Sequence, residues 1–172
     1  MGQRRVVTGH SPDGKAIFVS DEEIYPVSVS RYPGLYSVWA GDHAPTFPDG
    51  GERQPTVDYW PPVGGYRFLL TSIAPSDESG ERALADTDDL DLLMPGLSDV
   101  MEQDVPGMHT SDTVDLEVVL SGEVTLELDG GVTKTMYAGD AIVQNGTRHR
   151  WHNHGTEPAR MVIILLGAHR QG

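Results

Sequence analysis

Apolar and polar residues alternate through the second half of the chain with the two-residue period of a β-strand. Val124, Leu126 and Leu128 show this alternation most clearly, and turn signals such as Asn145-Gly146 separate one run from the next. The pattern predicts six strands, over residues 113–120, 123–128, 132–137, 141–144, 148–154 and 159–166. Short strands with turns about every eight to twelve residues are typical of an antiparallel sandwich or barrel.

The first half of the chain predicts fewer regular elements. Four strands are expected there, over residues 5–8, 16–20, 35–40 and 66–73. Residues 22–64 are rich in proline, glycine and aromatic side chains, which predicts an extended arm with 35–40 as its only strand. The arm could be a lid over a pocket, or it could form a dimer contact or pack under a long loop.

A broken helical pattern over residues 90–101 is interrupted by Pro95-Gly96, which predicts two short helical turns. The acidic run over residues 77–91 is expected to be a solvated surface without chemistry. The length of 172 residues predicts a single domain over 1–172, in which 1–64 supply N-terminal strands and the arm and 65–168 the barrel core.

Composition excludes several classes of function. The net charge of −14 would repel a nucleic acid or an anionic membrane surface, so neither is an expected partner. Without cysteine, the chain can have no disulfide, thiolate nucleophile or cysteine zinc site. The longest apolar run, 161–166, is too short to span a bilayer, and the first residues lack the apolar segment of a secretory signal. We therefore expect a cytoplasmic protein.

Candidate chemistry is concentrated in residues 107–153. His109, Ser111 and Asp115 are separated by even numbers of residues, so a strand through them would place all three side chains on one face. The predicted catalytic residues are His109, Asp115 and His149, and the predicted pocket residues are Ser111, Glu117 and Trp151. Two of these have an alternative interpretation, Glu117 as a rim residue in water and Trp151 as a core residue. His152 and His154 have the opposite parity and are expected to point away from the interior.

The residues Gly107-x-His109-x-Ser111-x-x-x-Asp115-x6-Gly122, followed by Gly146-x-x-His149-x-x-x-Asn153, resemble the paired motifs of the cupin superfamily. The segments MHTSDTVDLEVVLSGEVTLELDGG and GDAIVQNGTRHRWHN are similar to small single-domain cupins that act as tailoring enzymes of secondary metabolism. The resemblance implies an all-β double-stranded β-helix, or jelly-roll barrel, with an N-terminal extended arm and one or two short helices. It also implies a homodimer.

Two departures from the cupin pattern concern the metal. Most metal-binding cupins use three histidines and one carboxylate, whereas here Ser111 replaces the second histidine and Asp115 replaces the glutamate. The resemblance leaves His109, Asp115 and His149 as tentative ligands, a set that suits Fe(II) and, less selectively, Zn, Mn or Ni. Alternatively the barrel has lost its metal, and the imidazoles and the carboxylate act as acid and base.

Three functional hypotheses follow for a small-molecule partner. The first is an enzyme that acts on a carbonyl compound by non-oxidative chemistry, namely decarboxylation, dehydration or isomerisation, with or without a metal. The second is an Fe(II)-dependent dioxygenase with a two-histidine, one-carboxylate site. The third is a non-catalytic barrel that binds a small ligand. A fold alone cannot separate them, because one barrel hosts many chemistries.

Overall fold

The computed structural model describes residues 2–29, 32–76 and 94–171, which form an all-β fold. Its strands are β1 (Gln3–His10), β2 (Ala16–Ile24), β3 (Val27–Val29), β4 (Tyr32–Gly41), β5 (Tyr66–Ile73), β6 (Thr113–Ser121), β7 (Glu123–Glu127), β8 (Thr133–Tyr137), β9 (Ala141–Asn145), β10 (Arg150–His152) and β11 (Ala159–Gly167). Two 3-10 turns, Ser98–Val100 and Asp129–Gly131, accompany them.

The strands form three antiparallel sheets. Six of them make one sheet in the order β3-β4-β5-β11-β6-β9, three make another in the order β10-β7-β8, and β1 pairs with β2. Side chains from the six-stranded and the three-stranded sheets share one core cluster, which comprises Ile73, Val119, Val124, Leu126, Met136, Trp151, Ala159 and Met161. The burial of apolar faces of two sheets against each other is the main stabilisation of such a fold.

Burial in β6 follows the predicted parity. Thr113, Asp115, Glu117 and Val119 are buried, whereas the residues between them are partly or largely exposed. This alternation arises because successive side chains of a strand point to opposite faces of the sheet. The face that carries the candidate carboxylates therefore points inward.

The predicted all-β fold is confirmed, with one correction in the arm. The expectation that residues 35–40 form its only strand is wrong, because β2 extends to Ile24 and β3 lies beyond it. A three-residue strand is too short to show a period in the sequence, and β3 is defined by its pairing with β4. One predicted helical turn follows Pro95-Gly96 as Ser98–Val100, while the acidic run over 77–91 lies outside the described residues.

Arg67 holds the arm against β5. Its side chain is only 3% exposed, and its guanidinium pairs with the Asp42 carboxylate at 2.7 Å. The same guanidinium donates hydrogen bonds to the main-chain carbonyls of Gly41, Asp58, Tyr59, Trp60 and Tyr66. A planar guanidinium with five N–H donors can satisfy several carbonyls at once. The main chain over 58–60 is thereby fixed near the barrel. In the described ranges, no helix has the length and apolar character needed to cross a membrane.

Candidate active site

A small cavity of about 40 Å³ lies where the predicted catalytic residues meet. The two sheets supply most of its wall, and the arm and the segment before β6 supply the rest. Its lining residues are Tyr59, Trp60, Thr71, Ile73, Leu97, Met101, His109, Asp115, Glu117, His149, Trp151, Ile163 and Leu165. Five of the six residues predicted for catalysis or for the pocket therefore line one cavity, and Ser111 does not.

His109 and His149 are brought together by their own main chains. Each residue donates its N–H to the carbonyl of the other, both at 2.9 Å. This antiparallel bridge places the two imidazole rings side by side, with centroids 4.2 Å apart. Residues 40 positions apart in sequence are thus adjacent in the site.

Each imidazole is oriented by a carbonyl two residues earlier. His109 Nδ1 lies 3.1 Å from the Gly107 oxygen, and His149 Nδ1 lies 2.9 Å from the Thr147 oxygen. When Nδ1–H donates to such a carbonyl, the neutral ring carries its lone pair on Nε2. Burial lowers the pKa of His149, and the bond to Thr147 opposes this only in part. His149 is therefore neutral at pH 7, which is the form that accepts a proton.

Asp115 and Glu117 form a buried pair of carboxyl groups, each 3% exposed. Burial raises the pKa of Asp115 to about 6, against a hydrogen bond from Thr113 that lowers it. Burial and, to a smaller extent, the nearby Asp115 charge together raise the pKa of Glu117 to about 8. At neutral pH, Glu117 thus holds a proton while Asp115 is mostly ionised. The alternative interpretation of Glu117 as a rim residue in water is wrong.

Three oxygen atoms at this cavity are buried without a hydrogen-bond partner in the part of the chain that the structure describes. They are Thr71 Oγ1, Asp115 Oδ1 and Glu117 Oε2. A buried polar atom without a partner costs about 1–3 kcal/mol, and native proteins leave few of them. Three such atoms at one cavity indicate a place where a polar ligand would complete the hydrogen bonding.

Ser111 is fully buried beside the site and supports it indirectly. Its hydroxyl lies 2.8 Å from the Thr113 hydroxyl, and Thr113 in turn bonds to the Asp115 carboxyl. The serine that replaces a cupin histidine is therefore the far end of a hydrogen-bonded chain that orients Asp115. The prediction from sequence did not single out Thr113, although it shares the inward parity of Asp115.

The candidate ligand side chains are not placed to share a metal ion. Among residues 2–29, 32–76 and 94–171, no three histidine or acidic side chains are arranged so that they could hold a metal ion. In these positions His109, Asp115 and His149 do not fit the three-ligand site that the resemblance implies. Their use as metal ligands stays a prediction, and so does the choice among Fe, Zn, Mn and Ni.

The residues that follow His149 have separate roles. Trp151 lines the cavity, with its ring edge-on to His149 at 6.1 Å, and also belongs to the core cluster. His152 faces away from the cavity, as its parity predicts, but it is buried against Glu127 at 2.7 Å. Asn153 is fully buried, and its amide donates to the carbonyls of Ile73 and Glu157, both at 2.9 Å. Asn153 thus joins the end of β5 to the loop before β11.

The arm contributes two aromatic residues to the cavity. Residues 22–64 are rich in aromatic side chains, but nothing in the sequence singled out these two. Tyr59 and Trp60 line the cavity, and their rings meet edge-on at 4.9 Å. Trp60 also lies against His109, with ring centroids 5.9 Å apart. This part of the arm covers the pocket. A dimer contact by the arm stays a prediction.

Glu117→Gln is expected to remove part of the pH dependence of stability. The unfolded glutamate loses its proton near pH 4.5, whereas the folded one keeps it up to about pH 8. The folded state binds more protons in this window, so the glutamate makes stability fall as pH rises through it. Between pH 6 and 8, the unfolding free energy should fall by roughly 2 kcal/mol more in the wild type than in the variant. Urea unfolding of both proteins at several pH values measures this difference. Unfolding free energies that change equally with pH in the wild type and the variant would contradict the prediction.

The two facing antiparallel sheets and the paired histidines define a jelly-roll type of β-barrel with an interior site. Residues 97–165 match the family model described as Cupin domain. This segment of the chain is therefore similar to cupin domains, and the all-β fold of the described residues agrees with that similarity.

Relatives of this chain include proteins of fungal biosynthesis clusters. Phomopsin biosynthesis cluster protein D of Diaporthe leptostromiformis is 41% identical over 83 residues, which cover 45% of this chain and 44% of that protein. Cupin-domain-containing oxidoreductase fogC of Aspergillus ruber is 27% identical over 176 residues, covering 94% of this chain and 71% of that one. The chain spans less than half the length of several curated relatives that it matches.

Solved structures similar to this chain include a Cupin 2 conserved barrel domain protein from Salinispora arenicola CNS-205. The two share 16% identity, with a TM-score of 0.46 over 87% of this chain and 92% of that one.

Proposed function

We propose that this protein is a cupin enzyme of secondary metabolism that moves protons on a small carbonyl compound, by decarboxylation, dehydration or isomerisation. The observation that carries the proposal is the set of unpartnered oxygens of Thr71, Asp115 and Glu117 around one cavity beside a neutral imidazole. These groups can both donate and accept a proton, which is what such reactions require.

The chemistry assigns a role to each group. His149 Nε2 takes the proton from the carbon next to the carbonyl, and the C–H electron pair forms the carbon–carbon double bond of an enol. Glu117, which holds a proton at neutral pH, gives it to the carbonyl oxygen. The ionised Asp115 stabilises the positive charge that then forms on His149. In an isomerisation, protonated His149 gives its proton to a different carbon while the enol returns its proton to Glu117. In a dehydration, protonated His149 gives its proton to the β-hydroxyl, which leaves as water as the carbonyl re-forms and the enol proton returns to Glu117.

A second candidate is oxidative chemistry. Several relatives, among them virC of Hypocrea virens and fogC of Aspergillus ruber, have the name cupin-domain-containing oxidoreductase. His109, His149 and Asp115 are of the residue types that form the donor set of Fe(II) dioxygenases, although their positions here do not fit a bound metal ion. A dioxygenase would need O₂ for every turnover, whereas the proton-transfer enzyme would not.

The test is turnover with and without oxygen. The protein is incubated with a panel of β-keto acids, β-hydroxy ketones and enolisable aldehydes in deuterium oxide, in air and in an oxygen-free chamber. The expected result is deuterium incorporation or product at equal rates under both conditions, detected by NMR. Product that forms only in air would support the oxidative candidate. Ligand binding without deuterium incorporation or product anywhere in the panel would support the non-catalytic barrel.

A further inference from the structure

We infer that Trp60 is a specificity-determining residue, whose indole separates the inner cavity from the outside and controls which molecules reach His109 and His149. The inference rests on the proposed function only in calling those molecules substrates. Three features of the structure carry it: two adjoining cavities, a side chain that can turn, and a main chain that is held.

Trp60 lines two cavities. The inner one, with the histidines and carboxyls, has a volume of about 40 Å³, and the neighbouring outer one has about 290 Å³. The outer cavity is lined by Asp58, Trp60, Pro61, Gly96, Asp99, Val100, Thr110 and Asp112. A space of about 40 Å³ suits water molecules, whereas sites for organic ligands are roughly 300–1,000 Å³. An organic substrate can be accommodated only when the two cavities join, and the indole of Trp60 is the wall between them.

The indole of Trp60 is held by packing, through ring contacts and through an apolar cluster that includes Leu97 and Leu165. Its Nε1 is buried without a hydrogen-bond partner in residues that the structure describes. The ring packs against His109 at 5.9 Å and Tyr59 at 4.9 Å. Rotation of the side chain breaks no hydrogen bond of that nitrogen, and the outward position would bring the N–H to water or to the carboxylates of the outer cavity.

The main chain next to the indole is held much more firmly. Arg67 binds the carbonyls of Asp58, Tyr59 and Trp60, and the Tyr59 N–H donates to the Pro95 carbonyl at 2.7 Å. A fixed main chain with a side chain free of hydrogen bonds favours rotation of the indole over movement of the whole arm. Arg67 is therefore a positioning residue, which acts on the site through Trp60.

The outer cavity also restricts the charge of the substrate. Asp58 and Asp99 line it together with Asp112, which is paired with Arg170, and the chain as a whole has a net charge of −14. A negatively charged molecule would approach this entrance against an unfavourable potential, whereas a neutral or cationic one would not. A flat ring would in addition stack on the indole. These features favour a neutral, planar carbonyl compound over a free carboxylate, and therefore isomerisation or dehydration over decarboxylation.

The test uses diethyl pyrocarbonate, a small neutral reagent that acylates unprotonated histidine. Wild type, Trp60→Ala and Trp60→Phe are labelled, and tandem mass spectrometry follows each histidine. Losing two ring contacts should raise the labelling rates of His109 and His149 about tenfold in Trp60→Ala. Trp60→Phe keeps an aromatic ring at this position, so its labelling rates at His109 and His149 should be close to those of the wild type. Val57→Ala, an exposed change in the same arm, is the matched control and should leave all rates unchanged.

His152 and His154 serve as internal controls, because they lie near His149 in sequence but outside the cavity. An equal rate at His149 in wild type and Trp60→Ala would overturn the inference. A rise at all histidines together would also overturn it, because that pattern means general loosening. Labelling requires no turnover, so this result is independent of the reaction proposed for the site. Selective labelling without any turnover would leave the role of Trp60 supported and the reaction refuted.

Discussion

Arg67→Met is expected to lower the free energy of unfolding by about 3–5 kcal/mol, because it leaves buried partners of a charged group unsatisfied. The guanidinium is 3% exposed, binds Asp42 and caps five main-chain carbonyls. Methionine fills similar volume but provides no N–H, so those carbonyls lose their donor inside the protein. Denaturant unfolding followed by circular dichroism measures the loss.

The matched control for this change is Arg4→Met. Arg4 pairs with Asp21 across the β1–β2 hairpin, but the two side chains are 70% and 53% exposed. Solvent already screens that pair, so the unfolding free energy should change far less than in Arg67→Met. The unfolding free energy of Arg67→Lys should be close to that of Arg67→Met, because one ammonium group cannot reach so many carbonyls. Equal losses in Arg4→Met and Arg67→Met would mean that the burial of Arg67 has no special effect.

His149→Ala is expected to lower kcat by about 10²–10⁴ on any substrate found for the site, because it removes the group that accepts the proton. Added imidazole should restore part of the rate by entering the space left by the side chain. The wild-type rate should rise with pH on the acid side as His149 loses its proton, at a pKa that burial holds below the ordinary histidine value. It should fall near pH 8, where Glu117 loses its own proton. The alkaline decrease should be absent from Glu117→Gln.

His154→Ala is the control for that experiment. It removes an exposed imidazole whose ring stacks on His152, away from the cavity. Its kcat should equal the wild-type value within about twofold, a change below 0.5 kcal/mol in the barrier. If His149→Ala also keeps the wild-type kcat and pH profile, His149 is not the base, and the proposed reaction at this site is refuted.

The sequence could predict the inward face of β6, because a strand has a two-residue period that holds from Thr113 onward. The same parity extends before the strand, because His109 and Ser111 are buried like Thr113, to which the serine hydroxyl bonds. Ser111 nevertheless does not line the cavity that His109 and Asp115 share. Parity thus predicts which face carries a residue, but not which residues of that face meet at one cavity.

Contacts between segments that are distant in the chain could not be predicted from a single sequence. Arg67 looked like one polar position in a strand, yet it fixes the main chain of residues 58–60. Trp60 belonged to an arm with several aromatic residues, and nothing local distinguished it from Trp39. Its position beside His109 depends on Arg67, on Tyr59 and on the Pro95 carbonyl together. Such placement arises from tertiary contacts, which leave no periodic signal.

The reciprocal main-chain bonds between His109 and His149 have an evolutionary consequence. Every residue except proline has the same main-chain donor and acceptor, so this bridge does not require particular side chains beside the imidazoles. Point mutations at neighbouring positions such as Ser111 can therefore change the chemistry of the interior while the two rings keep their spacing. A lineage with this scaffold can lose one activity and acquire another through viable, folded intermediates.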